Sequence, residues 1–319
     1  MTSSEPDDRP AVCRPDALSP AGARRAQPRR GLLGLVFVLP VAALLAAGAG
    51  GPVRTLELLG PPITFALPIV AMIAFWWEDR PGSLLRGGWT GVADTALVAA
   101  GGVVLALLGR GSVPLAAGIF TLMLQLTLVG EGRPLRGRGT YWPGVVALVS
   151  CWIAGLALYL GIVGTGLVPA EDYAGVFAVL GAWQLVFFVA LRGRPFARIR
   201  RRAVRLATAH GVVIACAAAT HRVPAPVAGA AIASVLVVAM LFEAWPAIRL
   251  PPLPGRSLVL VLVALLTAAL AFGLPQVARW AGVPEGLVGA WVTHTTLTAL
   301  SLAVILHVAV WRRWPASAA

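Results

Sequence analysis

The chain has 319 residues, 58% of them hydrophobic and only 12% charged, with a formal net charge of +13. Soluble domains are about 25% charged, so this balance excludes a soluble globular enzyme and points to a chain solvated largely by lipid. All 26 basic residues are arginine, as a GC-rich bacterial genome would encode them, and no polar stretch is long enough to gather them into a nucleic-acid-binding face.

Residues 1–30, MTSSEPDDRPAVCRPDALSPAGARRAQPRR, mix Pro, Ser and charge without apolar periodicity and read as a disordered, Arg/Pro-rich cytoplasmic tail. Their end, Pro28-Arg29-Arg30-Gly31-Leu32-Leu33, resembles a twin-arginine export signal; the competing and favoured reading is an ordinary first span flanked by arginines. Residues 31–315 then form a polytopic transmembrane helical domain, and 316–319 a short C-terminal tail.

A helical span needs about 20 apolar residues. By that measure the runs are 31–50, 58–77, 89–109, 113–130, 144–167, 173–191, 204–219, 225–243, 257–274 and 286–311. The expected fold is therefore an all-α integral membrane protein of about ten helices. The weakest runs are 204–219, which is short, and 58–77, which carries Pro61, Pro62 and Pro68. The connections are too short for an ATPase, kinase or other soluble domain.

Arginines collect in short cytoplasmic loops. With the N-terminus inside, 22 of them fall on the inner side, and only Arg54, Arg110, Arg222 and Arg279 fall outside. That split places both termini in the cytoplasm of a bacterial cell membrane and sets the positive charge against anionic lipid headgroups.

Each inward-running helix ends in a similar phrase: Trp77-Glu78-Asp79-Arg80-Pro81, Gly130-Glu131-Gly132-Arg133-Pro134, Leu191-Arg192-Gly193-Arg194-Pro195, Phe242-Glu243-Ala244-Trp245-Pro246 and Trp311-Arg312-Arg313-Trp314-Pro315. Three positions before the proline the residue is always charged. Proline cannot continue a helix, Trp anchors at the headgroup boundary, and Arg reaches phosphates. Two readings fit, five independent helix terminators or tandem duplication of a two-helix hairpin: one leading helix, four inward-plus-outward pairs and a final inward helix.

Polar residues at membrane depth are functional candidates. Asp94 lies about five residues into the third span, His210 similarly far into the seventh, and His307 four residues before Trp311, so the three form one expected layer for proton or ion coupling. Deeper lie Gln125, Gln184 and His294, expected to line a midplane substrate pocket with Trp183 and Trp291 as stacking surfaces. Interhelical packing is the competing role, and the favoured one for the glutamines.

Cys13, Cys151 and Cys216 have neither CxxC nor Cys/His ligand spacing, so no metal is expected, and no cofactor motif is present. Three functions remain: a transporter or permease for a small solute, proton-coupled in one version; a structural or accessory subunit working with a membrane-complex partner or as a homo-oligomer; and an intramembrane enzyme acting on a lipid-like substrate. The first heads the order.

Overall fold

The computed structural model describes residues 27–77, 82–85, 89–132, 135 and 141–314. These residues are all helical apart from turns, with no strand among them. The helices are α1 (Arg29–Ala47), α2 (Pro52–Trp77), α3 (Trp89–Leu108), α4 (Val113–Val129), α5 (Tyr141–Ile162), α6 (Ala170–Ala190), α7 (Arg202–Ala219), α8 (Ala225–Leu241), α9 (Pro252–Trp280) and α10 (Glu285–Val310). Eight are long and apolar enough to cross a membrane; α4 and α8 are shorter apolar helices. Each falls on one of the ten apolar runs.

Two classes of helix emerge from burial. In their most apolar windows α2 and α10 are 78% buried and α6 is 56% buried, whereas α1, α3, α5, α7 and α9 range from 11% to 28%. The even-numbered helices pack against one another in sequence, α2 on α4, α4 on α6, α6 on α8, α8 on α10, and α10 returns to α2. They form a closed inner ring of five. The odd-numbered helices lie outside it, each apolar on its exposed side, as with Phe272 and Trp280 of α9. An apolar exterior is what lipid solvation selects.

The chain closes the circle with its first helix. α3, α5, α7 and α9 each pack on the inner helix that precedes them, and α1 packs on α10 and α2. At its start, Gln27 Nε2 donates to the Leu241 carbonyl at 3.4 Å, and Gly31 faces the Phe242 ring so closely that a Cβ would lie 2.4 Å from it. The leading helix thus takes the place of an outer partner for α10, giving five inner–outer pairs.

The helix-ending phrases share one backbone solution in all four copies that lie among the described residues. The last turn widens to π geometry, and the N–H groups of Gly130, Leu191, Phe242 and Trp311 bond the carbonyls five residues back. Two residues later, Gly132, Gly193, Ala244 and Arg313 reach six residues back, each at 2.8 Å. The pairs Glu131/Gly132, Arg192/Gly193, Glu243/Ala244 and Arg312/Arg313 are all left-handed. This satisfies carbonyls that the helix end would otherwise orphan. The charged position of the phrase is the first left-handed residue. The first copy, Glu78, Arg80 and Pro81, lies outside the described residues, as do Arg133, Pro134 and Pro315.

Three prolines did not break α2. Their missing N–H groups leave the Glu57, Leu58 and Thr64 carbonyls without the usual donor four residues on, and α3 packs closely along this stretch, where a Cβ on Gly102 would lie 2.6 Å from the Pro62 carbonyl. Neighbouring helices re-satisfy or cover what proline frees in a membrane span.

Candidate functional site

The inner ring encloses a void of about 10 Å³, lined by Thr64 and Leu67 of α2, Thr121 of α4, Gly181 of α6, Ile232 of α8 and Leu297 of α10, among others. All five inner helices contribute, so the void marks the ring axis. Its size is close to the lower limit for holding one water. Thr121 Oγ1 donates to the Ala117 and Phe177 carbonyls at 2.8 and 3.1 Å, joining α4 to α6 beside the void.

One turn further along the same faces stand Gln125 and Gln184. The Gln184 amide donates to Gln125 Oε1 at 2.5 Å and to the Thr121 carbonyl at 3.1 Å. Gln184 is fully buried, yet its Oε1 has no hydrogen-bond partner, and neither has Gln125 Nε2. The pair therefore offers one free acceptor and one free donor in a dry setting, where an unmet amide costs about 1–3 kcal/mol.

His294, Trp291 and Trp183 point elsewhere. α1 ends at Ala47, leaving carbonyls exposed at its last turn. Trp291 Nε1 donates to the Ala46 carbonyl at 3.0 Å, and His294 Nε2 lies 3.0 Å from the Leu45 carbonyl. The other ring nitrogen of His294 faces Thr298 Oγ1 at 2.8 Å. Donation from Nε2 assigns the proton there and leaves Nδ1 as acceptor. These two side chains cap a neighbouring helix. Trp183 likewise donates to Thr220 Oγ1 at the end of α7, at 2.9 Å.

The three titratable candidates do not form one cluster. Asp94, fully buried, accepts from the Gly82 amide at 2.7 Å and holds the segment before α3. His210 Nδ1 bonds the Leu206 carbonyl of its own helix at 2.8 Å. His307 is buried at the end of α10, stacked on Phe37 of α1 with centroids 5.1 Å apart, and its Nδ1 has no partner. Trp311 Nε1 donates to Thr95 Oγ1 at 3.0 Å, so the neighbours of His307 and Asp94 touch, although the two titratable groups do not bond.

At this same end two helix-ending acids pair with arginines of neighbouring elements. Glu131 of α4 is bridged by Arg202 and Arg205 of α7 at 2.6 and 2.9 Å. Glu243 lies 3.0 Å from Arg313, without hydrogen-bond alignment. Arg313 donates to the Leu241 and Met240 carbonyls at 3.1 and 2.7 Å, capping α8 from the end of α10. Burial pulls the Arg313 guanidinium below its ordinary value and the Glu243 charge pushes it back up. Arg249 lies over the Trp245 ring at 6.0 Å, and Trp314 contacts Trp311 at 5.9 Å between centroids. Pro195 is exposed beside the buried Phe196, and Pro246 opens a short 3₁₀ turn.

Arg313, Gln27 and Phe37 were not singled out by the sequence. Arg313 carried a signal, being the second residue of a left-handed pair whose other described copies hold Gly or Ala. No group of three or more His, Cys, Asp or Glu among the described residues is placed to hold a metal ion. No family model, curated protein or solved structure matches the chain.

Proposed function

We propose that the chain is a ten-span permease of the bacterial cell membrane, with both termini cytoplasmic, that passes a small uncharged polar solute along the axis of its inner ring. The observation that carries this reading is the proximity, within one helical turn, of an axial void lined by all five inner helices and an amide pair with one buried free donor and one buried free acceptor. Among the described residues no charged side chain lines the void, and low-dielectric walls penalise ions heavily. The 22-to-4 division of arginines supports the orientation. His307, with an open buried nitrogen, is the residue through which protons would couple in a coupled version.

The test is osmotic swelling of proteoliposomes in formamide, urea or glycerol. Wild-type protein accelerates swelling, and Gln125→Leu with Gln184→Leu slows it at least about tenfold, the loss of roughly one well-made polar contact. Equal swelling with and without protein refutes the proposal. The accessory-subunit reading has one specific support, the narrowness of the void; it requires no swelling and stable capture of a membrane partner or a second copy.

A further inference from the structure

We infer that the segment joining α6 to α7 is a binding site for anionic phospholipid headgroups, independently of what the ring carries. Residues 191–201 run LRGRPFARIRR, and the chain has no acidic residue between Asp172 and Glu243. The segment is a fixed strap. It makes a 3₁₀ turn at Arg194–Phe196, and Phe196 is 5% exposed, packed on Phe187 and Phe188 of α6 at 5.6 and 5.7 Å between centroids. Pinning one side of the strap into the apolar core leaves its arginines on the other.

The arginines divide into two sets. Arg202 and Arg205 are spent on Glu131. Arg194, Arg198, Arg200 and Arg201 are exposed and have no ion pair among the described residues. Four uncompensated guanidinium groups thus stand on an ordered segment between the ends of two membrane-length helices, at the level where phosphodiesters lie. Guanidinium forks match phosphate oxygens, and each basic group near an anionic surface adds to the attraction. A lipid phosphate is favoured over a soluble one because the apolar flanks of α6 and α7 take its acyl chains while the strap takes its headgroup.

The experiment titrates fluorescent phosphatidylglycerol, and phosphatidylcholine in parallel, into the full chain purified in a neutral detergent. Phosphatidylglycerol binds preferentially. Replacing Arg194, Arg198, Arg200 and Arg201 with Gln together weakens it by about tenfold or more, whereas replacing all four with Lys retains it. Arg54→Gln with Arg110→Gln, at the opposite helix ends, changes nothing. If the fourfold Gln variant lowers the unfolding temperature, the pair Arg194→Gln and Arg198→Gln is read instead, with a smaller loss in the same direction. Unchanged affinity in the Gln variants, equal binding of both lipids, or displacement by millimolar glycerol phosphate overturns the inference.

Discussion

Replacing His294 by Leu separates a structural from a transporting role for the most polar-looking residue of α10. The imidazole Nε2 bonds the Leu45 carbonyl, next to the Ala46 carbonyl held by Trp291. Leucine fills similar volume but donates nothing, so one helix-end carbonyl is left without a partner. Interhelical hydrogen bonds in membranes average about 0.6 kcal/mol, with about 1.7 kcal/mol as the largest measured. A carbonyl without access to water sits at the upper end, so His294→Leu should cost about 1–2 kcal/mol. Trp291→Phe should cost a similar amount, and because the two carbonyls are adjacent the double variant should depart from additivity. Unfolding in detergent, followed by tryptophan fluorescence, measures the loss, and swelling rates per folded molecule should stay at the wild-type level. A variant with unaltered stability but abolished flux would refute the capping role and return His294 to the solute path.

Other outcomes follow from close contacts and charge. Gly102→Ala places a Cβ 2.6 Å from the Pro62 carbonyl and 2.9 Å from Ala66, so it should destabilise by about 1–3 kcal/mol, while Gly175→Ala, with nothing within 4 Å, should not lower the unfolding temperature. Glu243→Gln, breaking a pair in which Glu243 is 2% exposed, should cost about 3–5 kcal/mol, against about 1 kcal/mol or less for Glu131→Gln, whose partners are a third exposed; equal losses would contradict the burial argument. Ala244 holds φ near +61°, a conformation costing a non-glycine residue about 1–2 kcal/mol, so Ala244→Gly should raise stability by about 1 kcal/mol and a decrease would count against the shared terminator.

Apolar run lengths located the ten helices, eight of them long and apolar enough to cross a membrane, because a bilayer asks about the same length of any helical span regardless of fold. They did not reveal which helices lie inside. In lipid both classes are apolar, so the amphipathic contrast that marks an inner face in water is absent. α2 illustrates this: its three prolines made it one of the two weakest runs, yet it is among the most buried, since prolines are tolerated where neighbours cover them. Counting depth along α4 and α6 brought Gln125 and Gln184 to one level, and the side chains do meet. The same counting failed to place His294 and Trp291, because depth says nothing of rotation. Their direction is set by α1, and the π turn beginning at His294 shifts the face of every later residue in α10. The helix-ending phrase was legible as a pattern, but its left-handed pair was not, since only Gly132 and Gly193 carry a glycine signal there and the other six positions hold Glu, Arg or Ala.

The most direct test of the ring axis as the solute path is chemical block at Thr121, which lines the void. In a background with Cys13, Cys151 and Cys216 replaced by Ser, Thr121→Cys is reconstituted and swelling in formamide is followed before and after a small, uncharged thiol reagent. The account predicts that modification stops solute-driven swelling, whereas the same reagent on Phe272→Cys, on the exposed side of α9, leaves the rate unchanged. Swelling that persists when labelling of Thr121→Cys is complete would contradict it.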